Sequence, residues 1–219
     1  MNRERSRALA LSEVILAAAI VIGHNVYHVV PNEVLVLLVV GAISLAWRRQ
    51  SLKSIGFRSP SRWTQTFLIA LAAAIALQLI STYITEPLIA RFTHQRSDLS
   101  QFREIVGNLG VTLVWLAIVW TFAAFGEEFV YRGYVLNRLA EAAGGGPRAW
   151  PFAVVASAVL FGIGHYYQGP TGMIDTGFTA LLFGGLYVWS GRNLWLPILA
   201  HGLSDTIAIV VIYAGLIDV

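Results

Sequence analysis

Seven apolar runs, each near the length that crosses a bilayer, dominate this 219-residue chain. They fall near residues 9–30, 34–47, 64–85, 111–136, 150–166, 173–190 and 194–215. A spanning helix needs about 20 mostly apolar residues. In lipid every backbone N–H and C=O must find its partner inside the chain, so runs of this kind fold as helices. The expectation is an all-α, polytopic transmembrane helical bundle of about seven spans, with six to eight as the range, forming a single integral membrane domain over residues 1–219. Composition agrees: 57% of residues are hydrophobic and 12% are charged, against about 25% charged in an ordinary soluble domain. The second run is short and the fourth long. The first, following MNRERSR, lacks a signal-peptide cleavage pattern and reads as a membrane helix.

Cysteine is absent, which removes disulfides, thiolate catalysis and thiolate-held zinc. The net charge is +3. Its carriers sit between apolar runs, so they read as topology signals rather than a nucleic-acid footprint. With the N-terminus in the cytoplasm and seven alternating spans, twelve of the fifteen Lys and Arg residues lie inside, and only Arg91, Arg96 and Arg103 lie outside. That bias favours a cytoplasmic N-terminus. The expected location is a prokaryotic plasma membrane.

The second half of the chain places ionisable groups where lipid penalises them. Glu127 and Glu128 interrupt the fourth run, His165 ends the fifth, and His201 and Asp205 lie in the seventh. At ~1.5 Å per residue, Glu127 lies roughly 16 Å from Arg138, and His165 roughly 22 Å from Trp150. His201 and Asp205 lie roughly 14 and 20 Å from Arg192 on the same scale. Three helices thus bring these groups to one slab near mid-bilayer. Glu128 and Arg132 are spaced i,i+4 and can pair, leaving Glu127 on another face without a cation. His201 and Asp205 share the same spacing, so the carboxylate can orient the ring or complete a metal site. Phe161 and His165 share a face, with Gly162 and Gly164 permitting close helix approach.

At these residues the chain resembles the CAAX protease and bacteriocin-processing (Abi) family, which includes the type II CAAX prenyl endopeptidases. The E-E-x-x-x-R motif is Glu127 to Arg132, F-x-x-x-H is Phe161 to His165, and H-x-x-x-N/D is His201 to Asp205. The likeness covers about residues 107–219. It implies an intramembrane endopeptidase, cleaving near the cytosolic face a peptide or protein that is prenylated or otherwise membrane-anchored. It makes Glu127 the general base aided by His165, His201 and Asp205 the oxyanion contacts, and Glu128, Arg132 and Phe161 supporting residues. Where relatives carry Asn, this chain carries Asp205, which when ionised only accepts. Asp205 can donate there if burial keeps it protonated and otherwise orients His201, or the set Glu127, His165, His201 and Asp205 holds zinc as the alternative cofactor.

Each feature also has a plain structural reading. Glu128–Arg132 can be an ion pair, His165 interfacial, and His201–Asp205 an interhelical clamp. His24 and His28 read as interfacial, and Glu13 finds no role. Two other functions compete: a proton- or solute-coupled transporter, and a non-catalytic immunity or scaffold protein. A transporter expects polar groups along a path, often with inverted repeats; here they form one cluster.

Overall fold

The computed structural model describes residues 3–217. Among the described residues the chain is entirely helical and loop, with no strand. Helix α1 (Arg3–Asn25) is followed by α2 (Glu33–Trp47). Asn32 caps α2, its side-chain oxygen accepting from the Leu35 N–H at 3.0 Å, which satisfies one of the free donors at a helix start. A 3-10 turn (Leu52–Ile55) leads to α3 (Trp63–Ile80), which runs through a π turn (Ser81–Thr85) into α4 (Glu86–Thr93). Next comes α5 (Leu109–Ile118), capped by Asn108 in the same way. A π-helical segment (Val119–Val135) continues it into α6 (Leu136–Ala142). Helices α7 (Ala149–Ile163), α8 (Gly169–Trp189) and α9 (Trp195–Tyr213) complete the bundle.

Every expected apolar run is therefore helical, but not every helix is a full crossing. Four continuous helices are long and apolar enough: Arg3–Asn25, Trp63–Thr93, Leu109–Ala142 and Trp195–Tyr213. A fifth arises if Ala149–Ile163 and Tyr166–Trp189, bent by 61° at their junction, count as one broken span. Helix α2 has 15 residues, about 22 Å, short of a hydrocarbon core of about 30 Å. By length and composition the described residues thus offer four candidate spans, or five, where the sequence led to an expectation of seven.

The π segment lies at the centre. It packs against α9 and α2, α6 against α1 and α7, α7 against α8, and α3 against α9. Its residues Glu128 to Val135 are all buried, and most of the principal core is built around them. At the end carrying the N-terminus, an ionic layer joins α1, α2 and α6. Glu13 meets Arg48 at 2.9 Å and Arg138 at 2.8 Å, and Glu141 meets the same two arginines at 2.9 and 2.8 Å. Ser44 donates to Glu13 at 2.8 Å. Glu13, without a role in the sequence, is thus the centre of a clamp between three helices.

Candidate active site

The sequence motifs meet on the buried face of the π segment. Glu128 is fully buried, and its Oε1 accepts from Arg132 Nη1 at 2.9 Å. The same oxygen lies 2.9 Å from His201 Nδ1. Arg132 is buried as well: its guanidinium lies 4.6 Å from the Phe161 ring centroid and 5.4 Å from that of Phe183. Its Nη2 donates to the Ala180 carbonyl at 3.2 Å. A buried charge needs both a partner and satisfied donors, and Arg132 has a carboxylate, a carbonyl and two ring faces.

His201 stands between two carboxylates. Nδ1 faces Glu128, and Nε2 lies 3.3 Å from Asp205 Oδ2. The ring stacks on Phe183 at 4.9 Å. Phe161 ties the motifs together: its centroid lies 4.7 Å from that of His165, 6.2 Å from that of His201 and 4.8 Å from that of Tyr131. His165 Nδ1 is 2.9 Å from the Phe161 carbonyl. A carbonyl only accepts, so that nitrogen carries the proton and Nε2 keeps its lone pair.

Glu127 is placed differently from its neighbour. It is partly buried, its Oε2 is buried without a hydrogen-bond partner, and it lies within electrostatic range of His201, Asp205, Glu128 and Glu33. An unsatisfied buried carboxylate oxygen is costly and uncommon in a folded chain. The geometry thus offers a carboxylate, Glu127, with no ion-pair partner among the described residues, one imidazole with a free lone pair, and a second imidazole held at both nitrogens.

Several surrounding residues escaped the sequence. Glu33, at the start of α2, takes His24 Nε2 at 3.0 Å, while His24 Nδ1 lies 2.7 Å from the Val30 carbonyl. Glu33 Oε1 and the Tyr131 hydroxyl approach Gly164 to 3.8 and 3.0 Å of the point a Cβ would occupy. An acid in the first turn of a helix ordinarily reads as a response to the helix dipole, so no local signal linked it to residues 130 positions away. Tyr167, bonded to Gln101 and Gln168, covers His165 with ring centroids 5.8 Å apart.

The four side chains named as an alternative zinc set do not converge on one point in this arrangement. Both nitrogens of His201 face carboxylates, and His165 offers only Nε2. Among the described residues no three His, Asp or Glu side chains are arranged to hold a metal ion. A structural zinc site takes four ligands and a catalytic one three.

The site lies inside residues 109–207, which match the family model described as Type II CAAX prenyl endopeptidase Rce1-like. No curated protein and no solved structure matches the chain. All three motifs, from Glu127 to Asp205, fall within the matched segment. Residues 109–207, an all-helical segment with its polar groups gathered inside the bundle, are thus similar to the Rce1-like type II CAAX prenyl endopeptidases.

Proposed function

We propose that the protein is an intramembrane endopeptidase of the glutamate type, acting on a peptide or protein anchored in the membrane by a prenyl chain or another apolar group. The observation that carries this is the contrast between adjacent carboxylates: each has a buried Oε2 without a hydrogen-bond partner, but Glu128 is neutralised through Oε1 by Arg132 and His201, whereas among the described residues Glu127 has no ion-pair partner. Glu127 takes a proton from water as that water attacks the scissile carbonyl, and returns it to the leaving amine. His165 Nε2 accepts from the same water and orients it. His201 supplies positive potential toward the oxyanion. Asp205 is a positioning residue that holds the His201 ring through Nε2, which replaces the direct oxyanion contact that the resemblance implied. Phe161 and Arg132 fix the relative placement of the rings. The protein resides in a prokaryotic plasma membrane with its N-terminus in the cytoplasm.

The decisive variant is Glu127→Gln, which keeps the shape and removes the basicity. Cleavage of fluorogenic membrane-anchored peptides in proteoliposomes should fall by at least about 10²-fold, the usual worth of a general base, with an unchanged thermal unfolding profile. Wild-type turnover in this variant sinks the mechanism. Chelator treatment should leave wild-type cleavage unchanged; loss that zinc restores argues for the metal instead.

A further inference from the structure

The arginine-rich end of the bundle and the open end of the site are opposite ends. Contacts between helices fix the levels. Ser6 of α1 bonds Glu141 of α6, and Glu13 meets Arg138 at 2.8 Å. From Glu13 to His24, and from Arg138 back to Glu127, the chain climbs eleven residues, about 16 Å along α1 and somewhat less along the π segment. His24 and Glu127 therefore lie at one level, and Val34 meets Gly126 there, 3.1 Å from the point a Cβ would occupy. The α1–α2 turn comes at the depth of the site. So does the α7–α8 break, which carries His165. Among the described α-helices, α3–α4, α5 and α9 continue beyond this level.

Toward the N-terminal end the way is shut. Tyr131, Arg132, Tyr134 and Leu136 are almost wholly buried. Ile55 and Leu194 pack on Gly133, and Tyr187 seals this layer by donating to the Ile55 carbonyl at 2.9 Å. Toward the other end the Asp205 side chain is 32% exposed, and Tyr166 and Tyr167 are 49% and 48% exposed. The cover there is the segment 95–101, attached through Gln101 to Tyr167 and through the Asp98 N–H to the Gln168 carbonyl at 3.0 Å.

Charge says which end faces the cytoplasm. Eleven of the fifteen Lys and Arg residues belong to the shut end, in segments 3–7, 48–62, 138–148 and at 192. Arg91, Arg96 and Arg103 belong to the open end, and Arg132 is buried between them. Lys and Arg near span ends accumulate on the cytoplasmic side. We infer that the active site opens to the extracytoplasmic side, so that its substrates are peptide segments presented in the outer leaflet after export rather than cytoplasmic C-termini. The access half stands on shape and charge alone; the substrate half rests on the peptidase reading. Cleavage near the cytosolic face, which the resemblance implied, is revised accordingly.

The chain has no cysteine, so each introduced thiol is unique. Lys53→Cys and Arg148→Cys mark the shut end, Arg96→Cys and Gln101→Cys the open end, and Asp205→Cys and Tyr166→Cys the chamber. The probe is a small, charged, membrane-impermeant methanethiosulfonate, applied to intact cells and to inside-out vesicles, with a permeant maleimide confirming that each thiol reacts. Open-end and chamber thiols should label in intact cells, and shut-end thiols only in inverted vesicles. The reverse pattern at the two ends overturns the orientation. Chamber thiols reached only from inverted vesicles, or from neither side, overturn the access route. Labelling as expected, with no membrane-anchored peptide cleaved from either side, removes the peptidase reading and the substrate half while leaving the access route in place.

Discussion

Glu127 and Glu128 are neighbours in sequence, and the bundle gives them different tasks because successive side chains leave a helix in different directions. Glu128 points into the core, where Arg132 and His201 bind it and the Phe161 and Phe183 rings flank Arg132. Removing one member of a buried pair strands the other charge, at a cost of about 3–5 kcal/mol. Arg132→Met should therefore lower stability by about that amount, measured by thermal unfolding in detergent. The double variant Glu128→Gln with Arg132→Met should recover most of the loss. If the double variant is no more stable than the single one, the ion pair is not the source. His201→Ala should abolish turnover. Asp205→Asn should retain part of it, because an amide can still hold Nε2; equal losses in both variants would place Asp205 on the substrate itself.

At the scale of elements, the apolar runs and the three motifs were legible because lipid imposes them: a run near 20 residues must be helical, and Glu, His and Arg inside such runs need one another. The Glu128–Arg132 and His201–Asp205 pairs follow directly from i,i+4 spacing. The local winding was not legible. Residues 119–135 form a π-helix, which is rare beyond single turns, and no residue pattern in the segment announces it. The break after α7 was legible, since one apolar run ends near residue 166 and the next begins near 173, but the 61° bend that makes the two runs at most one candidate span was not. Gly162 permits α7 and α8 to meet: a Cβ there would lie 2.6 Å from the Met173 carbonyl oxygen, a backbone atom that cannot step aside. Gly162→Ala should force α7 and α8 apart, at a cost of about 1–3 kcal/mol. It should also displace His165, so turnover falls further than stability alone explains. Cleavage and melting temperature measured on one preparation separate the two effects, and an unaltered protein shows that the interface yields more easily than its spacing suggests.

The whole molecule adds what the matched segment, residues 109–207, does not contain. The α1–α2 hairpin is anchored at one end by Glu13, Arg48, Arg138 and Glu141 and along its length where Gly41 lets α2 lie against the Tyr134 ring. That anchoring delivers its tip, with Glu33 and His24, to the side of the site where Glu33 and the Tyr131 hydroxyl approach Gly164. The link between Glu33 and Glu127 was illegible in the sequence because it is a property of docking depth, fixed by ion pairs at the far end of the hairpin. A second carboxylate within electrostatic range of Glu127 shapes the field in which the base works, and His24 holds that carboxylate in place through Nε2. Glu33→Gln keeps the side chain's volume while removing its charge. Glu33 is the weakest of the charges acting on Glu127, so the variant should lower kcat modestly, with little change in KM. A hairpin that served only as packing would show the opposite signature, a lower melting temperature with kcat unchanged. His24→Ala, which releases Glu33 without removing its charge, should fall between Glu33→Gln and the wild type in kcat if the field of a positioned carboxylate is what Glu127 requires.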